Sequence, residues 1–318
     1  MFDHLVVMTD SELDAHLPFL DTKTILAEAF AALKRNEAVQ PPQTLALFPG
    51  QRGDFITYLG IVGPSDVFGA KLSPYIADGS KPVITAWTIL FSMKTGLPLI
   101  LCDSARLTRE RTAATTALAV DKLASPEASV LAVIGSGALA EAHLRHVKEL
   151  RDWQEVRLFS PHLADHPERL RGFQKFHASI KPVLSSQTAV AGADVIMLVT
   201  SSAKPVIDFK DITAKALVTS ISTNAYQAHE IEPAALAQMR VYCDYALTTP
   251  GSAGEMVLAA AQGLWSPNEL EGDLGDLCVG KVPDRAQDSR PIFFRSIGLG
   301  LEDVAIANAL YQRVKVGN

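Results

Sequence analysis

The clearest indication of the fold is the sequence S-V-L-A-V-I-G-S-G-A-L-A at residues 129–140. The segment at 129–134, which is apolar from Val130 to Ile134, ends at a pair of glycines, and an alanine-rich segment from Ala138 to Leu150 follows. Apolar runs of this length are typical of strands buried on both faces, and the segment after the glycines has the composition of a helix. The stretch therefore predicts a buried strand, a tight turn and a helix in direct succession.

The glycines in this turn indicate what it binds. Gly135 permits the tight turn, and Gly137 lets a ligand approach the backbone closely. Ala140 stands where a third glycine is common, which is a tolerated replacement. The helix that begins near Ala138 directs N–H groups and the positive end of its dipole at the turn, which suits a pyrophosphate. We therefore predict a dinucleotide site at 135–140.

Helical and strand patterns alternate on both sides of this turn. An alanine-rich helix is predicted from Thr112 to Ala124, and further strands are predicted at 156–159, 195–200, 217–221 and 241–244. Continuous apolar strands that alternate with helices form a parallel sheet covered on both faces. This part of the chain is therefore predicted to be a single dinucleotide-binding domain.

The N-terminal part of the chain has a different pattern. A helix is predicted from Thr22 to Arg35, because its apolar residues recur on one helical face. Short β-rich runs separated by Gly, Pro, Asp and Ser follow at 44–48, 55–62, 68–72, 83–91 and 97–102. They predict an antiparallel or mixed sheet. A C-terminal helix is predicted at Leu301–Val314 and is expected to pack on this first domain.

Composition excludes several classes of protein. The 318 residues carry a net charge of −6 without a run of basic residues, which argues against nucleic acid and anionic membranes as partners. The longest apolar stretch, Val83 to Met93, is too short to span a bilayer, and residues 1–10 lack the pattern of a secretory leader. Three widely spaced cysteines suit a reducing compartment, so we expect a cytoplasmic protein. His143 and His146 have no third ligand at suitable spacing, and we predict no metal.

The loop after the second predicted strand bears on the choice of cofactor. A carboxylate at this place would hold the ribose 2′-hydroxyl of NAD, but the chain has Ser160, Pro161 and His162. The missing carboxylate removes the repulsion of a 2′-phosphate. The cofactor is therefore NADP or NAD, with NADP favoured and with Ser160 and His162 as candidate contacts.

Further motifs resemble the ornithine cyclodeaminase and mu-crystallin family along nearly the whole chain. They are F-G-A-K-L at 68–72, L-T-R-E-R-T-A-A at 107–114, A-D-V-I at 193–196, T-S at 200–201, S-T-N-A-Y-Q-A-H-E-I at 222–231, G-E at 254–255 and F-F-R-S-I-G-L-G-L-E-D at 293–303. The resemblance implies an α/β fold in which a Rossmann dinucleotide-binding domain at 116–291 is inserted in a mixed α+β domain. That second domain, 1–115 plus 292–318, would bind substrate and form a homodimer.

The resemblance also assigns site residues. Lys71 and Arg111 match the catalytic pair, the lysine assisting proton transfer and the arginine holding the substrate carboxylate. Gln43, Asn224 and Ile297 join them as substrate-binding positions. The cofactor-binding positions are Thr85, Arg111, Thr112, Gly135, Gly137, Ala138, Leu139, Ser160, His162, Thr200, Ser201 and Ser296.

Elementary chemistry supports the catalytic pair independently. The planar fork of Arg111 matches a carboxylate, and a lysine desolvated in an apolar strand, as Lys71 is, has its pKa lowered toward neutrality. The alternative for each residue is a solvated surface cation. Asp303 also matches a recurrent family position, and two explanations stay open: a site residue, or an acid that favours a helix N-terminus.

Two departures from the family argue against a true ornithine cyclodeaminase. The family usually has arginine where this chain has Gln43, so one cationic carboxylate contact is missing. Cyclodeaminases carry a catalytic aspartate where this chain has Asn224, and an amide cannot accept the proton.

We therefore predict an NAD(P)H-dependent oxidoreductase that transfers hydride at the α-carbon of a small imino or amino acid, as a cyclic ketimine reductase or an alanine dehydrogenase-like enzyme. The alternatives are an ornithine cyclodeaminase that uses another acid, and a non-catalytic, NADP-dependent protein that binds a small ligand.

Overall fold

The computed structural model describes residues 5–77, 82–163, 165–177, 179–222, 227–282 and 288–317. The chain divides into two compact units, Met1–Arg111 with Gly298–Asn318, and Thr112–Ile297. The sequence places the second boundary at 291/292, ahead of a strand that pairs within the sheet of the second unit. That strand finds its neighbours far away along the chain, so its local sequence does not reveal which unit it joins.

The first unit contains a mixed sheet. Its strands are β1 (Val6–Met8), β2 (Ala38–Val39), β3 (Thr44–Leu47), β4 (Gly53–Val62), β5 (Val67–Ile76), β6 (Val83–Ile84), β7 (Trp87–Ser92) and β8 (Pro98–Asp103). They run in the order β1-β8-β7-β5-β4-β2, with β3 on β4 and β6 on β5, and only β1 pairs in parallel, with β8. The run at 83–91, predicted as one strand, is divided into β6 and β7.

Helices α1 (Asp10–Leu13) and α2 (Thr22–Lys34) accompany these strands, and α3 (Ala105–Leu123) begins in the first unit and continues into the second. Helix α3 begins seven residues before the predicted start at Thr112. Asp103 explains the early start, because its Oδ1 accepts the N–H of Ala105 at 2.9 Å, while the carbonyl of Ser104 accepts the N–H of Thr108 at 2.8 Å. Arg111 therefore lies inside the helix.

The second unit contains a fully parallel sheet. Its strands are β9 (Val130–Ile134), β10 (Glu155–Phe159), β11 (Ile180–Pro182), β12 (Val195–Leu198), β13 (Leu217–Ser220), β14 (Arg240–Cys243), β15 (Gly272–Asp273) and β16 (Ile292–Arg295). The helices are α4 (Ala138–Val147), α5 (Pro167–Gln174), α6 (Ser186–Val190), α7 (Gly254–Ala261) and α8 (Leu274–Cys278).

The strand order of this sheet, β11-β10-β9-β12-β13-β16-β14-β15, positions a ligand site. From β9 the chain builds outward through β10 and β11, and then returns to place β12 on the other side of β9. Ligands of open parallel sheets bind outside the carboxyl ends of the strands at such a reversal. The glycine turn follows the carboxyl end of β9, so it lies at this point.

The chain returns to the first unit in its last helix, α9 (Gly300–Gly317). The helix packs closely on β4, because a methyl group added at Gly60 would lie 2.7 Å from the Cα of Leu301. Gln40 caps the helix, its Oε1 accepting the N–H of Leu301 at 2.9 Å. Residues 301–307 are all buried, including two acids, Glu302 and Asp303. Among the helices that the structure describes, none is long and apolar enough to cross a membrane.

Candidate active site

Four charged side chains meet inside the first unit. Lys71 from β5 and Arg111 from α3 face Glu302 and Asp303 from α9, and we name these four residues the charge cluster. Asp303 Oδ2 lies 2.9 Å from Lys71 Nζ, and Asp303 Oδ1 accepts from Arg111 Nε at 3.1 Å. Glu302 Oε2 accepts from Arg111 Nη1 at 2.9 Å. The two predicted catalytic residues are thus joined through one carboxylate.

Lys71 occupies an environment that disfavours its charge. The side chain is 2% exposed, and Nζ lies 4.1 Å above the ring of Tyr58 and 3.4 Å from the hydroxyl of Thr108. Burial and then the charge of Arg111 lower the pKa of Lys71, the carboxylate of Asp303 opposes both, and the resulting pKa is about 8. A lysine with a pKa near 8 exchanges protons readily near neutral pH.

Arg111 is also fully enclosed, and it stays charged. Burial disfavours the guanidinium, but the neighbouring carboxylates of Asp303 and Glu302 outweigh this effect and raise the pKa of Arg111. Gly298 lies directly against the guanidinium, with φ of +77°, and a methyl group there would collide with Nη1. The packing of Gly298 fixes the guanidinium in place.

Gln43, a predicted substrate contact, lies near the charge cluster because its side chain bonds the backbone of Gly298. The side chain is half-buried, and its Nε2 donates to the carbonyl of Gly298 at 2.5 Å. Since Gly298 lies against Arg111, residue 43 lies next to the charge cluster without a hydrogen bond to Lys71 or Arg111 in the described contacts. The proposed substrate contact of Asn224 falls on residues 223–226, outside the described part of the chain.

The glycine turn in the second unit has room for a pyrophosphate. Gly135 has φ of +125°, and a side chain there would collide with the carbonyl of Val199. Gly137 is the N-cap of α4, and no atom lies within 4 Å of where its Cβ would be. Ala138 is exposed and Leu139 is half-buried in the first turn of this ten-residue helix. Open space beside a helix N-terminus fits an anionic diphosphate.

Glu230 organises the ends of β12 and β13. Its Oε1 accepts the N–H and the hydroxyl of Thr200 at 2.9 and 2.7 Å. Its Oε2 accepts the hydroxyl of Ser220 at 2.7 Å and the N–H of Ser222 at 2.9 Å. Thr200, a predicted cofactor contact, is therefore held firmly, whereas its neighbour Ser201 is exposed.

Asp244 fixes the residues that follow β16, as Glu230 does for those that follow β12 and β13. Its Oδ2 accepts the hydroxyl of Ser296 at 3.1 Å and the N–H of Ile297 at 2.7 Å. Its Oδ1 accepts the N–H of Tyr245 at 2.9 Å and the hydroxyl of Thr249. Ser296 and Ile297 were singled out in the sequence, but the two acids that orient the strand ends, Glu230 and Asp244, were not. For Asp244, the sequence signal was the position of an acid directly after the apolar run V-Y-C.

The remaining predicted cofactor contacts are scattered among different environments. Ser160 is half-buried after β10, with its carbonyl accepting the N–H of Leu163 at 3.1 Å, and His162 is exposed. Thr112 is buried in α3. Thr85 is exposed between β6 and β7, and its N–H donates to the carbonyl of Pro74 at 3.3 Å.

The structure offers a different explanation for His143 than a ligand. Its Nδ1 lies 2.7 Å from the carbonyl of Leu139 and its Nε2 lies 3.0 Å from the hydroxyl of Thr116. The carbonyl can only accept, so Nδ1 carries a proton, and both ring nitrogens make hydrogen bonds within the fold. Within the described residues, no group of three His, Cys, Asp or Glu side chains could hold a metal.

A cavity of about 420 Å³ lies elsewhere in the first unit. Small side chains of α2 and α9, among them Ala29, Ala32 and Ala305, line this space together with the charged Glu28 and Arg35. None of the predicted site residues that the structure describes lines it. The chemistry that the sequence predicts is therefore concentrated at the charge cluster and at the strand ends.

A parallel sheet with a glycine turn at its reversal point defines a dinucleotide-binding protein of the Rossmann type. The particular family follows from comparison. A profile of the ornithine cyclodeaminase/mu-crystallin family matches residues 4–318, and the chain belongs to this family. The resemblance seen in the sequence and the predicted fold class are both confirmed.

Individual relatives agree with this assignment. The chain is 52% identical over 312 residues to the NAD(P)H-dependent anabolic L-arginine dehydrogenase DauB of Pseudomonas aeruginosa, covering 98% of each chain. Δ1-Pyrroline-2-carboxylate reductase of Thermococcus litoralis, solved with NADH and L-proline, is 20% identical with a TM-score of 0.90 over 98% of each chain. An archaeal alanine dehydrogenase dimer with bound NAD is 23% identical with a TM-score of 0.88, over 99% of this chain and 97% of the other. These two structures establish the shared fold.

Proposed function

We propose that this chain interconverts L-arginine and its 2-imino acid by hydride transfer at the α-carbon. The chain is an NAD(P)-dependent oxidoreductase of its family, acting on amino or imino acids. The observation that carries the choice of arginine is the 52% identity to an L-arginine dehydrogenase over 98% of both chains. This substrate is narrower than the small imino or amino acid that the sequence predicts.

We assign the substrate carboxylate to Arg111 and the proton to Lys71. In the reductive direction the C=N bond becomes a single bond as hydride adds to the α-carbon, and the nitrogen takes a proton from the ammonium of Lys71. In the oxidative direction neutral Lys71 accepts a proton from the substrate ammonium. A buried lysine with a pKa of about 8 is present in both forms near neutral pH, so it suits both directions.

We assign the cofactor to the glycine turn and the neighbouring strand ends. A reduced nicotinamide, when bound, supplies the hydride. Gly137 and the N-terminus of α4 would receive the pyrophosphate, and Thr200 and Ser296 are oriented by Glu230 and Asp244. Ser160, Pro161 and His162 place no carboxylate directly after β10 to repel a 2′-phosphate, so we propose that NADPH binds more tightly than NADH.

We also propose that the chain forms a homodimer through the outer face of its mixed sheet. The apolar residues on this face are paired across adjacent strands, Ile61 with Phe68, Phe68 with Phe91, and Leu72 with Trp87. Phe68, Leu72 and Trp87 are each more than one-third exposed, which is unusual for an apolar sheet face in contact with water. The archaeal alanine dehydrogenase is a dimer of the same fold. A location in the cytoplasm, and the absence of metal, membrane and nucleic-acid partners, stay predictions.

The test follows the nicotinamide absorbance band in both directions. L-Arginine with NAD or NADP, and 2-oxoarginine with ammonia and NADH or NADPH, are compared with alanine, lysine, pyruvate plus ammonia, and the pyrroline and piperideine carboxylates. We expect the arginine pair to give the highest kcat/KM. A higher value for alanine or a cyclic imine would reject arginine as the substrate.

Two controls separate the other functions. Conversion of L-ornithine to proline with release of ammonia, at a rate comparable with imine reduction, would favour a cyclodeaminase. Tight binding of cofactor with no turnover of any of these compounds would favour a non-catalytic binding protein.

A further inference from the structure

We propose that Asp303 is the positioning residue of the site, a single carboxylate that fixes the ammonium of Lys71 relative to the guanidinium of Arg111 and keeps Lys71 protonated until the reaction takes its proton. This inference rests on the proposed roles of Lys71 and Arg111. It deepens them by assigning a role to α9, which supplies neither of the proposed catalytic residues.

The geometry sets Asp303 apart from an acid that merely favours a helix N-terminus. Asp303 lies in the first turn of α9, but each of its oxygens lies against a different cation, Oδ2 at 2.9 Å from Lys71 Nζ and Oδ1 at 3.1 Å from Arg111 Nε. The three side chains are 0%, 2% and 5% exposed. Water therefore screens these interactions little, and the loss of one partner leaves a buried charge uncompensated.

The balance of charge shows why Asp303 is needed. Lys71 is faced by Tyr58 from β4, Arg111 from α3, and Glu302 and Asp303 from α9. Burial and Arg111 both favour the neutral amine, whereas Asp303, followed by Glu302, favours the ammonium. Burial raises the pKa of the nearby Cys102 thiol to about 12, so this group adds no charge near neutral pH.

The arrangement also links the protonation of Lys71 to the binding of substrate at Arg111. Asp303 joins Lys71 to the guanidinium that receives the substrate carboxylate. A carboxylate bound at Arg111 adds a negative charge beside the cluster, which raises the pKa of Lys71 in the complex. The pKa that governs kcat is therefore expected to lie above the pKa that governs kcat/KM.

The test compares Asp303→Asn with Glu302→Gln. Both remove one buried carboxylate that contacts Arg111, but only the first removes the ion-pair partner of Lys71. The titration of Lys71 is followed by NMR on protein labelled with ¹³C at lysine Cε, with Lys71→Arg used to assign the signal. We expect Asp303→Asn to lower the pKa of Lys71 by about one unit or more, and Glu302→Gln to lower it less.

Turnover provides the second readout. In Asp303→Asn the pH midpoint of the reaction is expected to move down by the same amount, whereas a purely structural residue would lower the rate without moving the midpoint. Asp303→Glu keeps the charge but moves it, so its Lys71 pKa should stay near that of the wild type while kcat falls. This variant carries the test if Asp303→Asn does not fold.

An unchanged titration of Lys71 in folded Asp303→Asn, or a pKa lowered as much in Asp303→Glu as in Asp303→Asn, would overturn the proposal. The NMR titration needs no substrate. It therefore tests Asp303 even if arginine proves to be the wrong substrate and the proposed function fails.

Discussion

Gly298 lies so close to Arg111 that no other residue fits there. Its φ of +77° is a conformation that side chains rarely adopt, and a methyl group would collide with Nη1 of the guanidinium. The position of the cation that we assign to the substrate carboxylate therefore depends on a glycine that lies 187 positions after Arg111 in the chain.

Gly298→Ala is expected to displace the guanidinium and lower kcat/KM by on the order of 100-fold, because small misplacements of a binding group are costly in catalysis. Cofactor affinity should change little. Gly172→Ala is the matched control, since no atom lies within 4 Å of the methyl group that it adds in α5. Steady-state kinetics compare the kcat/KM values of the two variants. Equal kcat/KM values in both would show that the contact of Gly298 with Arg111 is not needed.

Gly137→Val is expected to abolish dinucleotide binding and leave the protein folded. The position has ordinary backbone angles, φ −86° and ψ −177°, and open space where a side chain would extend, so the variant meets no steric obstacle to folding. The added side chain would occupy the space that we assign to the pyrophosphate. Thermal unfolding reports the fold, and fluorescence titration with NADPH and NADH reports binding. Cofactor affinity like that of the wild type would contradict the assignment of this turn.

The pH dependence should follow Lys71. The group is protonated below its pKa of about 8, so the reductive rate is expected to fall as pH rises through 8, while the oxidative rate rises over the same interval. Lys71→Met should lose turnover in both directions while it keeps its affinity for cofactor. Profiles in both directions, measured with saturating cofactor, check this. A wild-type profile that is flat between pH 7 and 9 would remove Lys71 from the proton transfer.

Local patterns predicted the fold well where the signal was continuous. The apolar strands β9, β12 and β13 and the glycine turn are visible in the sequence because a strand buried on both faces needs an uninterrupted apolar run. The early start of α3 was missed because the segment L-T-R-E-R at 107–111 is mostly polar and shows no apolar helical face. Polar residues buried in pairs have no periodic apolar signature.

The site was predictable only in part for a related reason. Lys71 and Arg111 could be found from motifs, but their partner Asp303 is 192 positions from Arg111 and follows a helix start, where an acid has a local explanation of its own. Asp244 likewise acts on Ser296, 52 positions away. Pairings over such distances depend on tertiary packing, which one sequence does not display.

Gln43 gives the sharpest test of how the charge cluster is balanced. Arg111 and Lys71 are matched by two buried carboxylates, so the cluster is already neutral. Gln43→Arg would remove the hydrogen bond to the Gly298 carbonyl and bring a third cation to this neighbourhood without a third acid. We expect a lower kcat, since another positive charge favours neutral Lys71 and depletes the proton donor.

The matched control for this charge is Gln43→Met, which removes the same hydrogen bond without adding a cation. Its expected cost is about 1 kcal/mol, or roughly fivefold in kcat/KM. The decisive comparison is the pH profile of the reductive reaction, which should shift to lower pH in Gln43→Arg and stay in place in Gln43→Met. If the added arginine instead lowers KM for the carboxylate substrate and leaves the profile unmoved, Gln43 is a weakened carboxylate contact and the cluster tolerates the extra charge. Kinetics indistinguishable from the wild type in both variants would place residue 43 outside the site.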